Sequence, residues 1–182
     1  MKKYIALLRG VNVGGNNKVP MPLLKAAFEQ AGFADVSTYI NSGNVIFSSQ
    51  DKNTVILQQI CQQAIIDKLQ LNIAVAVIAA DELAAALDHA PAWWDNDSEA
   101  KHNAIFVIAP AKAEDITKEV GESKPEYEQV AYYGQLIFWS APLIIFSHTR
   151  WAKILATAAY NSVTIRNANT AKKLLQLAEG ER

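Results

Sequence analysis

Near the start of the chain, Arg9-Gly10-Val11-Asn12-Val13-Gly14-Gly15-Asn16-Asn17-Lys18 gathers glycines, amide side chains and two cations into one short loop. Glycine lets backbone N–H groups approach a ligand, and a helix that begins just beyond such a loop offers its positive end to an anion. The composition suits a nest for phosphate or carboxylate, with Arg9 or Lys18 adding charge. It equally suits a structural turn whose asparagines satisfy their own backbone. Gly10 and Gly15 have P-loop separation, but Asn16 stands at the lysine position and no hydroxyl follows it. The dinucleotide fingerprint G-x-G-x-x-G is also missing from the loop.

The elements that must position this loop follow from periodicity. Residues 3–8 form a short apolar run suited to a central strand, and residues 20–32 an amphipathic helix with Leu23, Leu24, Ala27 and Phe28 on one side and Gly32 as its stop. Residues 36–40 alternate as a strand, Ser42-Gly43-Asn44 is turn chemistry, and 45–47 return as a hairpin. A long helix over 51–69 and a strand over 73–78 complete a βαββαβ order. The same order recurs as a strand over 104–108, a helix over 111–120, a hairpin of 129–133 with 135–139 through Gly134, a helix over 148–158 and a strand over 162–165. Each block is followed by a further helix, over 81–89 and 169–179. The reading is an α+β protein of two tandem ferredoxin-like subdomains, residues 1–90 and 103–182, joined by a linker over 91–102.

Strand polarity then places the motifs. If the first strand runs upward, the loop after it and the turn between the second and third strands both open at the top. Asn12, Gly14, Gly15, Asn16 and Lys18 therefore face Asn41, Ser42 and Asn44, with Arg9 at the strand exit. Thr164-Ile165-Arg166-Asn167-Ala168-Asn169-Thr170 repeats the grammar, a strand ending at Arg166 with Asn167 or Asn169 capping the next helix. Arg166, Asn167, Asn169 and Thr170 would complete the site if the two units packed in opposite senses. In the linker, Trp93 and Trp94 read as a seal at the joint between the units, with an aromatic platform for a base or ring as the alternative.

The stretches from Tyr4 to Met21, from Thr38 to Phe47 and from Thr164 to Thr170 resemble the bacterial family catalogued as domain of unknown function 1697. That resemblance implies a compact cytoplasmic protein of two α+β subdomains with no established activity. The family's last motif usually carries an aromatic residue where Ala168 stands here.

Composition bounds the remaining possibilities. The chain has 182 residues, 51% of them hydrophobic and 19% charged, enough for a sizeable core. Its one cysteine, Cys61, excludes an intrachain disulfide framework and reads as core filler on a helix. The apolar run after Met1-Lys2-Lys3 stops at Arg9, too short for a signal peptide or a membrane span, so a cytoplasmic protein is expected. The net charge of −1 conceals basic ends around an acidic middle, which permits a local anion site without a broadly basic surface.

No catalytic residue is singled out, and no cofactor or metal is implied. His89, His102 and His148 lack metal-ligand spacing, and Ser42 does not lie in G-x-S-x-G. Enzymatic chemistry, if present, would be transfer or hydrolysis at a phosphorylated ligand, with Arg9, Lys18 or Arg166 as electrostatic stabilisers. The favoured expectation is binding of a small anionic ligand. A nucleic-acid module that stacks bases on its sheets is the second possibility, set back by apolar strand faces and the absence of a basic excess. A structural or partner-binding protein is the third, resting on Leu143-Ile144-Ile145-Phe146, a run read first as core and second as an interface patch. Oligomeric state is not readable from this pattern.

Overall fold

The computed structural model describes residues 1–15 and 17–180. Its elements run β1 (Lys2–Leu8), α1 (Met21–Gln30), β2 (Ala34–Tyr39), β3 (Asn44–Ser49), α2 (Thr54–Leu69), β4 (Val75–Ala79) and α3 (Ala80–Asp88). They continue with β5 (Ala100–Val107), α4 (Ala113–Val120), β6 (Gln129–Tyr133), β7 (Leu136–Pro142), three short 3-10 helices (Leu143–His148, Trp151–Ala156, Ala158–Ser162), β8 (Val163–Asn167) and α5 (Ala168–Glu179). Two compact units result, one of residues 1–83 with the stretch from Lys173 onward, the other of residues 84–172. Among the described residues no helix is long and apolar enough to cross a membrane.

The first unit is built on an antiparallel sheet of order β2-β3-β1-β4. Every residue from Tyr4 to Leu8 is fully buried, as a central strand covered on both faces requires. Tyr4, Ala6 and Leu8 join Leu24, Phe28, Phe47, Leu57 and Ile65 in one apolar cluster. Phe33 and Phe47 anchor it with ring centroids 4.3 Å apart, and each such ring contributes about 1.5–3 kcal/mol by leaving water. Asn53 starts α2 by accepting the N–H groups of Val55 and Ile56, and Gln70 ends it at φ +56°. Cys61 faces inward from α2, and burial pushes its thiol pKa well above the ordinary range.

The second unit repeats the arrangement with order β6-β7-β5-β8, again antiparallel. Ile105 sits between Ile137 and Ile165 at the centre of its cluster, which Trp139, Trp151 and Ile154 complete. The sheet starts earlier than the apolar run predicts, at Ala100. Polar His102 and Asn103 extend it because the His102 ring is satisfied by Ser140 Oγ at 2.6 Å and the Asp97 carbonyl at 2.8 Å.

Two expectations are corrected in this unit. The helix predicted over 148–158 is replaced by 3-10 turns. Thr149 and Thr157 turn their hydroxyls back onto the carbonyls of Phe146 and Ile154, and the Glu128 carboxylate takes the N–H groups of Arg150 and Trp151. These local bonds compete with an α-helical ladder. The run 143–146 is not core: Ile144 is 91% exposed and Leu143 56%, because β7 closes at Pro142 and the next turn faces outward. Phe146 packs its ring against that of Trp139, with centroids 4.8 Å apart.

Candidate functional site

At the end of β1 the chain is held by two backbone bonds, Leu8 N–H to the Gly43 carbonyl at 2.8 Å and Arg9 N–H to the Ala74 carbonyl at 2.9 Å. The loop that follows closes on itself: Asn12 N–H donates to the Asn17 carbonyl and Asn17 Nδ2 to the Gly10 carbonyl, both at 3.2 Å. Asn12 and Asn17 sit at φ +55° and +47°, the left-handed region that asparagine tolerates better than other side chains. Val11 and Val19 pin both shoulders of the loop into the core, each 2% exposed.

Asn12 is the latch. Its Oδ1 accepts Val19 N–H at 2.8 Å, while its Nδ2 donates to the carbonyls of Val19 at 2.9 Å and Asn41 at 2.7 Å. One amide thus ties the loop to the start of α1 and to the β2–β3 turn, as strand polarity requires. Asn12→Ala removes three hydrogen bonds and is expected to cost about 2 kcal/mol, lowering Tm by about 4–8 °C. Asn12→Gly, which relieves φ but not the lost bonds, should recover little of that in the same melting measurement.

The turn is equally self-satisfied. Asn44 is fully buried and its Nδ2 donates to the Tyr39 carbonyl at 3.0 Å and Ser42 Oγ at 2.9 Å. Ile40 stands at φ +48°, a conformation that costs a β-branched side chain, and is 49% exposed.

Between the loop, the turn and α1 lies an open depression of about 400 Å³ bordered by Asn12, Gly15, Lys18 and Asn41, with Val19, Pro20 and Met21 on its helix side. Of the residues that sequence reasoning brought together, these first four border it. Arg9, Gly14, Ser42 and Asn44 do not, and Asn16 lies outside the described residues. Val19, Pro20 and Met21 were not among the residues named, although the start of this helix was expected to face the ligand. Lys18 is exposed and makes no ion pair with any described residue. The first turn of α1 carries no acid, and its cap residue Pro20 contributes no side-chain bond.

The other predicted residues lie in the second unit and in the first turn of α5. Arg166 is 9% exposed, its Nη1 donating to Thr164 Oγ1 and the Ile165 carbonyl, both at 2.9 Å. Burial pushes its guanidinium pKa down to about 10, so it remains charged at neutral pH. Asn167 Oδ1 accepts Thr170 N–H at 2.7 Å, which is the capping role, while Asn169 is exposed and Thr170 buried. Trp94 packs edge-on against Phe138 and donates Nε1–H to the Asn103 carbonyl. Its neighbour Trp93 borders a smaller cavity of about 150 Å³ with His102, Tyr127 and Ser140. Since a carbonyl only accepts, His102 Nε2 donates to the Asp97 carbonyl, while Nδ1 meets Ser140 Oγ. The two residues are 38 positions apart and meet through the β5–β7 register, so sequence spacing carried no sign of the pair.

Comparison with known proteins adds kinship to this geometry. The model of one protein family matches residues 1–138, well over half of the chain. The chain belongs to the family described as "Protein of unknown function (DUF1697)". The matched span holds the DUF1697 loop at 9–18 and the turn at 41–44, whereas Thr164 to Thr170 lie beyond it. A solved structure described as the conserved bacterial protein SP0830 from Streptococcus pneumoniae is similar at 30% identity and a TM-score of 0.85. The alignment covers 97% of this chain and 98% of that one. Among curated proteins there is no match. Family membership therefore supports the architecture and leaves the chemistry to the residues.

Proposed function

We propose that this DUF1697 protein binds a small anionic or phosphorylated ligand in the depression between the 9–18 loop, the 41–44 turn and the start of α1. The observation that carries the reading is Lys18, a cation that pairs with no described residue, on a loop fastened by Asn12 and bordering a cavity that also adjoins the acid-free start of α1. A helix start favours negative charge by about 0.3–1 kcal/mol, and a lysine beside it adds to the same field. Because Asn12 and Asn17 fasten the loop across itself and to its neighbours, the site is preorganised, so a ligand meets little ordering cost on binding. Each unit is, in the same proposal, a ferredoxin-like module: the first has the βαββαβ chain order, the second has 3-10 turns in place of its second helix, and both sheets set the fourth strand beside the first.

Nucleic-acid binding across the sheets is the weaker reading. The aromatics of the central strands of the second unit, Phe106, Phe138 and Trp139, are all buried, leaving no ring there on which a base can stack.

The test is a thermal-shift screen of the purified protein against phosphorylated metabolites, nucleotides, carboxylates and short single-stranded oligonucleotides, with Lys18→Gln alongside. A ligand that binds only the native state raises its melting temperature by mass action. The expected result is a shift by a small anion that Lys18→Gln weakens about tenfold in apparent affinity, the size of one lost charge-assisted bond. A shift that Lys18→Gln leaves intact would move the site elsewhere.

A further inference from the structure

The second unit contains a pocket of about 300 Å³ that the site described above does not involve. Lys124, His148, Arg150 and Lys153 converge on it, with Val120 and Thr157 as the other walls and no acid among them. None of these basic side chains makes an ion pair with a described residue. Like charges do not gather without cause, since their mutual repulsion must be overcome by something else.

That something is the backbone. Glu128 is 2% exposed, and its Oε1 accepts the N–H groups of both Arg150 at 2.9 Å and Lys124 at 3.3 Å. One buried carboxylate thus fastens two cation-bearing residues, distant in sequence, to a common point. Lys153 follows Arg150 by one 3-10 turn, its N–H donating to the Arg150 carbonyl at 3.0 Å, and residues three apart in such a turn share a face. Arg150 also has a seat of its own. Gly121 lies so close beneath the guanidinium that a Cβ there would stand 2.7 Å from Nη1.

We propose that this pocket is a separate anion site that takes a compact diphosphate group. Three positive charges and an imidazole exceed what a single carboxylate neutralises, and a guanidinium presents paired donors that match phosphate oxygens. No Phe, Tyr or Trp borders the pocket, so recognition rests on the phosphates and not on a stacked base. Its volume is at the lower end for small-molecule sites, which suits a diphosphate head better than a whole nucleotide. Two carboxylates beside the lining residues are already engaged: Glu128 faces inward on four N–H donors, and Glu119, next to Val120, accepts Ala159 N–H at 2.8 Å.

Isothermal titration of the whole chain with inorganic pyrophosphate, at one fixed ionic strength, tests the proposal. Arg150→Gln and Lys153→Gln are expected to weaken binding about tenfold each, while Lys52→Gln and Lys68→Gln, which remove the same charge from the first unit, leave it unchanged. Arg150→Gln keeps the backbone N–H that Glu128 holds, so the fold survives the test, and far-ultraviolet circular dichroism of each variant checks it. Absence of saturable pyrophosphate binding overturns the proposal. So does an equal loss in all four variants, or a preference for a single-stranded RNA oligomer over pyrophosphate, either of which describes diffuse polyanion attraction. A pyrophosphate signal lost in Arg150→Gln and Lys153→Gln belongs to this pocket whatever the outcome at the 9–18 loop.

Discussion

Glu128→Ala is expected to lower the stability of the second unit by about 4 kcal/mol. The carboxylate is 2% exposed and accepts four donors: Lys124 N–H and Arg150 N–H on Oε1, Trp139 Nε1–H and Trp151 N–H on Oε2. Alanine leaves these groups facing a cavity, and each buried donor without an acceptor costs about 1–3 kcal/mol unless water enters. Glu128→Gln should recover little, because both oxygens receive two N–H groups and an amide must turn its own NH2 toward one of those pairs. Urea unfolding followed by tryptophan fluorescence reads the effect where it arises, since Trp93, Trp94, Trp139 and Trp151 all belong to residues 84–172. A loss below about 1 kcal/mol would mean that the staple is replaceable by solvent.

Gly43→Ala should be the most damaging small substitution in the first unit, at about 3 kcal/mol. Gly43 is at φ +75°, and a Cβ built on it would lie 2.6 Å from Val11 Cγ2 and 2.8 Å from Leu8 Cβ. Its carbonyl also holds Leu8 N–H, so the turn cannot withdraw without opening the end of β1. Gly134→Ala is the matched control: φ is +57° there, but a Cβ would meet nothing within 4 Å. It should cost only about 1 kcal/mol, the backbone penalty without the collision. The two melting curves, compared, separate conformational strain from overpacking. Equal losses would remove the claim that the 41–44 turn is packed tightly against the loop.

The sequence carried the order of elements because periods of 2 and 3.6 are written locally, as in the unbroken run of β1 or the spacing of Leu24, Ala27 and Phe28 on α1. Strand polarity carried one step further, to the meeting of the loop and the turn that the Asn12–Asn41 bond displays. What an asparagine does with its amide is not written locally. Asn12 and Asn44 have the residue type of ligand-binding groups, yet their amides are tied to the backbone of Val19, Tyr39 and Asn41 and to Ser42 Oγ by the fold. The same limit explains the run at 143–146, where apolar composition suggested core but the chain had already left the sheet at Pro142. It also hid the basic pocket, because Lys124 and Arg150 meet only through Glu128, a residue that composition marks as ordinary surface.

The most direct test of the account is the backbone amide NMR spectrum of the protein titrated with the small anion that gives the greatest thermal shift. The prediction is saturable movement of the Gly15, Lys18, Met21 and Asn41 resonances, lost in Lys18→Gln while the rest of the spectrum is kept. Movement confined to residues 120–157, or none at saturating ligand, would contradict the placement of the ligand site at the 9–18 loop.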